Sequence, residues 1–379
     1  MTADGLARSA TPASLAIPAT GVGLARLLAD GVPVAGDRCA VRRAWPADLA
    51  DPARGYVLEL QASDGRVLGA RLCGNELEIV ADDPVLPEIT GLVADGWRVL
   101  AHRAGKRAVL RRDERGSFRK LATPKATRRA VARADAVERL LERAPGVPRP
   151  PARTAVDPDA GSIDLAPAPG RSLRSVLADG PAEADGVLPA EVGRRLGETL
   201  AALATVEPAR SADLDALPRH TLADEAATLD RWVGAACALA PVGRPAAERL
   251  RAEADDLIGA LRRAPETPSV LGHRDLHDGQ ILVSADTGLT ILDWDTAAWT
   301  DPCLDLANLL AHLDLLVTLT PSAAAATRAA TSAMVAAVAA GGHPAASHPD
   351  RLDLLRRGAA LRIHAVHAFR RRPRAPGTT

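Results

Sequence analysis

Strand-like and helix-like patterns are segregated along this sequence, and that division constrains its fold more than any other feature. From Cys39 to Leu121, short runs of large apolar and β-branched residues alternate with turn-forming pairs, whereas after Gly170 the apolar residues fall mainly at helical spacing. Strands followed by helices indicate an α+β architecture rather than repeated βαβ units. A chain of 379 residues also exceeds what one hydrophobic core usually organises, so two or three lobes are expected.

Tyr56-Val-Leu-Glu-Leu and Val67-Leu-Gly-Ala-Arg-Leu flank Asp64-Gly65, a pair suited to a tight hairpin turn, and Leu77-Glu-Ile-Val adds a strand. These predict a β-rich cap over residues 36–95, preceded over 1–35 by a tail and a short helix near Leu24. Trp97-Arg-Val-Leu-Ala, Arg107-Ala-Val-Leu-Arg and Phe118-Arg-Lys-Leu, with turns at Ala104-Gly105 and at 114–116, predict an antiparallel meander. One long helix should follow Pro124 over 125–143. Gly146-Val-Pro-Arg-Pro-Pro ends it, and Ser162-Ile-Asp-Leu enters the stiff connector Ala166-Pro-Ala-Pro-Gly170. The boundary placed there gives a small lobe over 96–168, a helical lobe over 169–372 and a tail over 373–379. Within the helical lobe one hairpin is predicted: Gln280-Ile-Leu-Val-Ser, a turn at 286–288, and Leu289-Thr-Ile-Leu-Asp293.

Hydrophobic residues make up 47% and charged residues 25% of the chain, a globular composition. Lys+Arg (47) equals Asp+Glu (47), and aromatic residues are only 2%, so neither a polyanion-attracting field nor a set of base-stacking platforms is present. No nucleic-acid partner is expected. Cys39, Cys73, Cys237 and Cys303 lie far apart, without the close pairs of a zinc site, and read as reduced. No stretch of 18 apolar residues runs uninterrupted by charge, so no membrane partner and a cytoplasmic location are expected.

The chemistry-bearing residues concentrate at the predicted hairpin. His273-Arg-Asp-Leu-His-Asp-Gly-Gln280 sets Asp275 in a loop before the outgoing strand, and the returning strand ends in Asp293-Trp294-Asp295. The hairpin should bring Asp275, Gln280 and Asp293 close together. Phosphoryl transfer needs such a set: a carboxylate to accept the proton of an attacking hydroxyl, and hard oxygen ligands for a magnesium ion bridging the phosphates. Asp275 is the candidate base, and Gln280 and Asp293 are the candidate Mg2+ ligands.

These spacings, extended by Asp301-Pro-Cys-Leu-Asp305-Leu-Ala, resemble the catalytic and metal-binding segments of the aminoglycoside phosphotransferase and choline kinase superfamily. Gln280 at the usual Asn position is similar to the maltokinases, which also carry an N-terminal cap. The resemblance implies a protein-kinase-like two-lobed fold, with a small antiparallel β lobe, a larger helical lobe and an extra β-rich N-terminal cap. It implies ATP and Mg2+ in the cleft and a small-molecule hydroxyl as acceptor.

Residue by residue, Lys120 matches the family's phosphate-binding Lys, Glu138 is its expected acidic partner, and Ala166 and Ala168 would present backbone groups to adenine. His273 would brace the loop, Arg274 would pair with a nearby carboxylate, and Ala104-Gly105-Lys106 would cover the phosphates. A lack of aromatic residues disfavours choline. Arg residues interspersed among the acidic residues of the helical lobe disfavour a polycation, which leaves a neutral or weakly charged sugar-like alcohol. Gln280 and the missing glycine-rich loop leave a second reading, a catalytically impaired nucleotide-binding pseudokinase module.

Overall fold

A computed structural model describes residues 13–14, 21–49, 51, 54–112, 116–179, 188–208, 215–239, 243–286 and 288–370. The expected C-terminal tail, most of the N-terminal tail, and the turn positions at 113–115 and 287 lie outside these residues.

The cap is a six-stranded antiparallel sheet of β1 (Ala13–Ser14), β2 (Val32–Val34), β3 (Asp37–Pro46), β4 (Tyr56–Gln61), β5 (Val67–Cys73) and β6 (Glu76–Val80), in the order β1-β6-β5-β4-β3-β2. Helix α1 (Gly21–Asp30) buries Leu24, Leu27 and Leu28 on the core side of this sheet. Strand β4 is buried from Tyr56 through Leu60, as expected of a central strand covered on both faces, and it carries the charged Glu59 inward.

A short helix, α2 (Glu88–Ala94), which the sequence pattern did not reveal, leads to the second sheet. Its strands are β7 (Trp97–Arg103), β8 (Arg107–Arg112), β9 (Ser117–Ala122), β10 (Arg153–Asp157) and β11 (Ser162–Leu165), in the order β10-β11-β9-β8-β7. Between β9 and β10 runs α3 (Pro124–Leu141), started by Thr123, whose hydroxyl accepts from the Ala126 amide at 3.3 Å, and by Pro124 in the first turn. Strand β10 was not expected: it is an exposed edge strand without apolar alternation, and it is recruited by pairing with β11.

The two sheets meet closely at Gly69 on β5. A Cβ there would lie 2.6 Å from the His102 imidazole of β7, so only glycine allows this approach. His102 is tied in place on both sides: its amide donates to Glu59 Oε2 at 3.0 Å, and its Nε2 lies 3.0 Å from Asp83 Oδ2.

The helical lobe contains α4 (Leu173–Asp179), α5 (Pro189–Leu203), α6 (Leu222–Leu239), α7 (Arg244–Arg263), α8 (Leu304–Leu319), α9 (Ala324–Ala340) and α10 (Pro349–His367). Its short strands are β12 (Arg171–Ser172), β13 (Arg219–His220), β14 (Val270–Gly272), β15 (Ile281–Ser284), β16 (Gly288–Ile291) and β17 (Ala298–Thr300), which form two small sheets, β12-β15-β16 and β13-β17-β14. The segment Pro321–Ala340 is long and apolar enough by length and composition to cross a membrane, although Arg328 interrupts it. In the fold it packs on α5, where a Cβ at Gly193 would fall 1.9 Å from the Ala330 carbonyl oxygen.

Three histidines of this lobe are held neutral by burial, which lowers the His312 pKa to about 3 and those of His343 and His367 to about 4. The His343 imidazole accepts from the Ala345 amide at 3.0 Å, which requires a bare nitrogen. In the unfolded chain these groups titrate near 6.5. Protons therefore bind the unfolded state first, so stability is complete above pH 6.5 and falls as the pH drops toward 4. Urea unfolding at pH 7.5 and pH 5 should show this loss, at most ~1.4 kcal/mol per pH unit for each histidine. Equal midpoints at the two pH values would contradict it.

Candidate active site

The site is organised by the β15–β16 hairpin and the loop before it. Leu292 N donates to Gln280 O at 2.8 Å, extending the β15–β16 ladder by one step, so Gln280 and Asp293 emerge side by side at its open end. Their side chains meet, with Gln280 Nε2 donating to Asp293 Oδ2 at 3.4 Å. Asp293 adopts a left-handed backbone conformation (φ 61°), which an Asp visits at lower cost than most residues and which turns its carboxylate out of the strand line.

From the small lobe, Lys120 on β9 reaches this end of the hairpin. Its Nζ donates to Asp293 Oδ1 at 2.6 Å and to Asp295 Oδ2 at 3.1 Å. Burial works against the ammonium, but the two carboxylates outweigh it and raise the Lys120 pKa. Burial likewise works against the Asp293 carboxylate, yet Lys120 holds its pKa well below the usual range; Asp295 is pushed up by burial and by its neighbour Asp293. The cluster thus keeps Lys120 charged and Asp293 anionic.

The loop that carries Asp275 is braced by groups on three sides. His273 is fully buried, its Nε2 donates to Leu292 O at 2.7 Å, and its Nδ1 accepts from the Asp275 amide at 3.3 Å, so this one ring links the Asp275 backbone to the residue before Asp293. The buried Asp305 of α8 accepts from the amides of His273 and Arg274 at 2.6 and 2.7 Å, which supports the left-handed conformation of Arg274 (φ 69°). Asn308, one turn further along α8, donates to Leu276 O at 2.9 Å and accepts from Arg362 of α10 at 2.6 Å. Asn308 escaped the sequence reading; the available signal was a second polar residue three positions after Asp305 in the otherwise apolar first half of the helix, hence on the same face.

Several expected contacts are made differently. Glu138 does not pair with Lys120: its carboxylate accepts from Arg153 Nη2 at 2.9 Å, because Arg153 on β10, the strand the sequence concealed, reaches that face of α3 while Asp293 and Asp295 hold the lysine at the hairpin end. The Arg274 side chain donates to the Thr296 carbonyl at 3.3 Å rather than to a carboxylate. In the connector, the Ala166 amide is already committed to Ala152 O at 2.9 Å, which leaves only its carbonyl to face a ligand; the Ala168 backbone has no hydrogen-bond partner among the described residues. In the turn after β7 the Gly105 amide donates to Asp83 Oδ2 at 2.7 Å, so that N–H is turned to the cap linker rather than to a phosphate. Asp278, three residues after the candidate base, is fully buried and gripped by Arg174 through Nε and Nη2 at 2.8 and 2.9 Å. Trp294 and Trp299 are buried in the core, as packing residues should be.

The donor set at the hairpin end suits a hard divalent cation: Asp293 and Asp295 supply carboxylate oxygens, and turning the Gln280 amide about its own axis presents its oxygen where the nitrogen now faces Asp293.

The family model described as the phosphotransferase enzyme family matches residues 91–355, well over half of the chain. The chain belongs to this family. It is a small-molecule kinase, a phosphotransferase built from an antiparallel β lobe and a helical lobe. No curated protein matches the sequence of this phosphotransferase. Among solved structures it is similar to the aminoglycoside phosphotransferase APH(3'')-Id from Streptomyces rimosus, at 17% identity and a TM-score of 0.48, covering 72% of this chain and 96% of that one. It is also similar to the macrolide 2'-phosphotransferase MphH from Brachybacterium faecium, at 20% identity and a TM-score of 0.38 over 88% of this chain and 93% of that one. A glucosamine kinase is similar at 21% identity and a TM-score of 0.39, over 87% of each chain.

Proposed function

We propose that this phosphotransferase transfers the γ-phosphoryl group of ATP, with Mg2+, to a hydroxyl of a small sugar-like molecule, the candidate acceptors being sugars, aminosugars and aminoglycoside-like alcohols. The observation that carries this reading is the 2.6 Å ion pair between Lys120 of the small lobe and Asp293 at the end of the catalytic hairpin. A half-buried cation from the small lobe and a half-buried anion from the helical lobe, set against each other, are what a polyphosphate and its counter-ion would share between them.

In this mechanism Asp275 orients the acceptor hydroxyl. As the hydroxyl oxygen bonds to the γ-phosphorus, its proton passes to the Asp275 carboxylate, the bond to the β–γ bridging oxygen breaks, and ADP leaves with that electron pair. Lys120 meets the negative charge of the phosphates. Gln280 and Asp293, with Asp295 beside them, would hold Mg2+, which when bound neutralises phosphate charge and fixes the phosphate geometry. His273 and Asp305 act by holding the loop, so that Asp275 is positioned before substrate arrives.

A panel of sugars, aminosugars and aminoglycosides tested for stimulated ADP release from Mg·ATP checks the reading. At least one class should raise ADP release at least about tenfold above the acceptor-free rate, each tenfold corresponding to about 1.4 kcal/mol of barrier. Tight Mg·ATP binding with no stimulation by any acceptor would favour the pseudokinase reading instead.

A further inference from the structure

Two arginines on the small-lobe sheet carry charge that the mechanism above does not use. Side chains opposed across an antiparallel ladder share a face, and those two residues along a strand share it as well. Lys120 on β9 is opposed to Val109 on β8, so Arg107, two residues along β8, emerges on the face of Lys120, and Arg103 on β7 is directly opposite Arg107. The other face of the same strands carries Ala108, Leu110 and Leu121, which pack around α2. The face of Lys120, whose Nζ meets Asp293 and Asp295, is the one turned to the end of the β15–β16 hairpin.

Diagonal neighbours on one face of a sheet lie about 7–8 Å apart, within reach of long side chains. Lys120, Arg107 and Arg103 therefore form a row that runs toward the β7–β8 turn. Only Lys120 has counter-charges. Arg107 is exposed, and neither it nor Arg103 has a carboxylate within ion-pair distance among the described residues. The Arg103 Nε is buried without a hydrogen-bond partner, and the guanidinium lies over the Trp45 ring of the cap at 5.0 Å. Stacking uses the face of a guanidinium and leaves its in-plane N–H donors for an oxyanion. Burial and the facing Arg107 press the Arg103 pKa down to about 10.

Like charges directly opposite each other destabilise a ladder, and this pair has no carboxylate among the described residues to offset it. Breaches of local rules of this kind are expected at functional sites. The turn between the two arginines offers little else to a phosphate: its Gly105 amide is committed to Asp83, and Ala104 is buried against Val57 and Val80 of the cap. Guanidinium forks supply from side chains what those backbone groups do not.

We propose that Arg107 and Arg103 hold the β- and γ-phosphates of ATP, continuing the row that Lys120 begins. In this chain two guanidinium groups then do what a glycine-rich turn does with backbone amides. Trp45, by fixing Arg103, gives the cap a part in nucleotide binding. The assignment rests on the ATP-dependent reading above.

The test is calorimetric titration of the full-length protein with a non-hydrolysable ATP analogue, ADP and AMP at constant Mg2+ and ionic strength. Arg107→Gln and Arg103→Gln should each weaken the analogue and ADP about tenfold or more, and leave AMP, which lacks both phosphates, within a factor of about two. Arg107→Lys, which keeps the charge but loses the fork, should fall between. Trp45→Leu should weaken the analogue in the parent and not further in Arg103→Gln, because it acts through that arginine. If Arg103→Gln does not fold, the two variants at the exposed Arg107 still decide the matter. Variants that bind the analogue and ADP as the parent does would overturn the proposal, and so would an equal loss of AMP affinity, which would move the effect to the adenosine end. A parent that binds none of the three would sink the ATP-dependent reading itself, and this assignment with it.

Discussion

Asp275→Asn is expected to lower turnover by about two to four orders of magnitude while nucleotide affinity stays within a factor of about two. The substitution is isosteric and leaves the backbone bond from residue 275 to His273 Nδ1 intact, so the loop should keep its shape. What changes is the capacity to accept the hydroxyl proton, and only the transition state depends on it. Stopped-flow ADP release, together with binding of a fluorescent nucleotide, separates the two quantities. A parallel loss of nucleotide affinity would show that Asp275 holds ATP rather than the acceptor, and near-normal turnover would remove it from the chemistry.

The second large effect is expected at Asp293, and here the choice of replacement matters. Residue 293 is left-handed, so Ala would add a backbone penalty of about 1–2 kcal/mol that has nothing to do with ligands. Asn tolerates the conformation and removes only the charge. Asp293→Asn should cut turnover by about two to three orders of magnitude and should flatten the dependence of nucleotide binding on Mg2+ concentration. It also strips Lys120 of its nearer carboxylate, leaving Asp295 at 3.1 Å. Nucleotide affinities measured across a magnesium series check this, and an unchanged magnesium dependence would show that the metal, if bound, does not use this side chain.

How far the sequence could be read depended on whether a residue acts within its own element. The β15–β16 hairpin was legible because a two-residue period and a turn bring Gln280 and Asp293 to the same end whatever else the chain does. The lobe order was legible for the same reason, since strand and helix patterns are local. Lys120 was found through its place on the third strand of a meander, but its partner was not, because pairing is decided in three dimensions: Asp293 lies 173 residues away and Glu138 only 18. The same holds for Arg174 and Asp278, which are separated by 104 residues. Strand β10 went unseen for a different reason, since an edge strand that faces solvent has no burial to imprint on its sequence.

The cap sheet grips both lobes at once, holding His102 of the small lobe through Glu59 and the segment after α10 through Ala44. Two bodies joined by a single connector can rock apart as on a hinge, whereas two bodies bridged on the opposite side as well behave as a closed frame. Relative motion of the two lobes of this enzyme is therefore restrained on two sides, and a change that loosened the cap would release one of them.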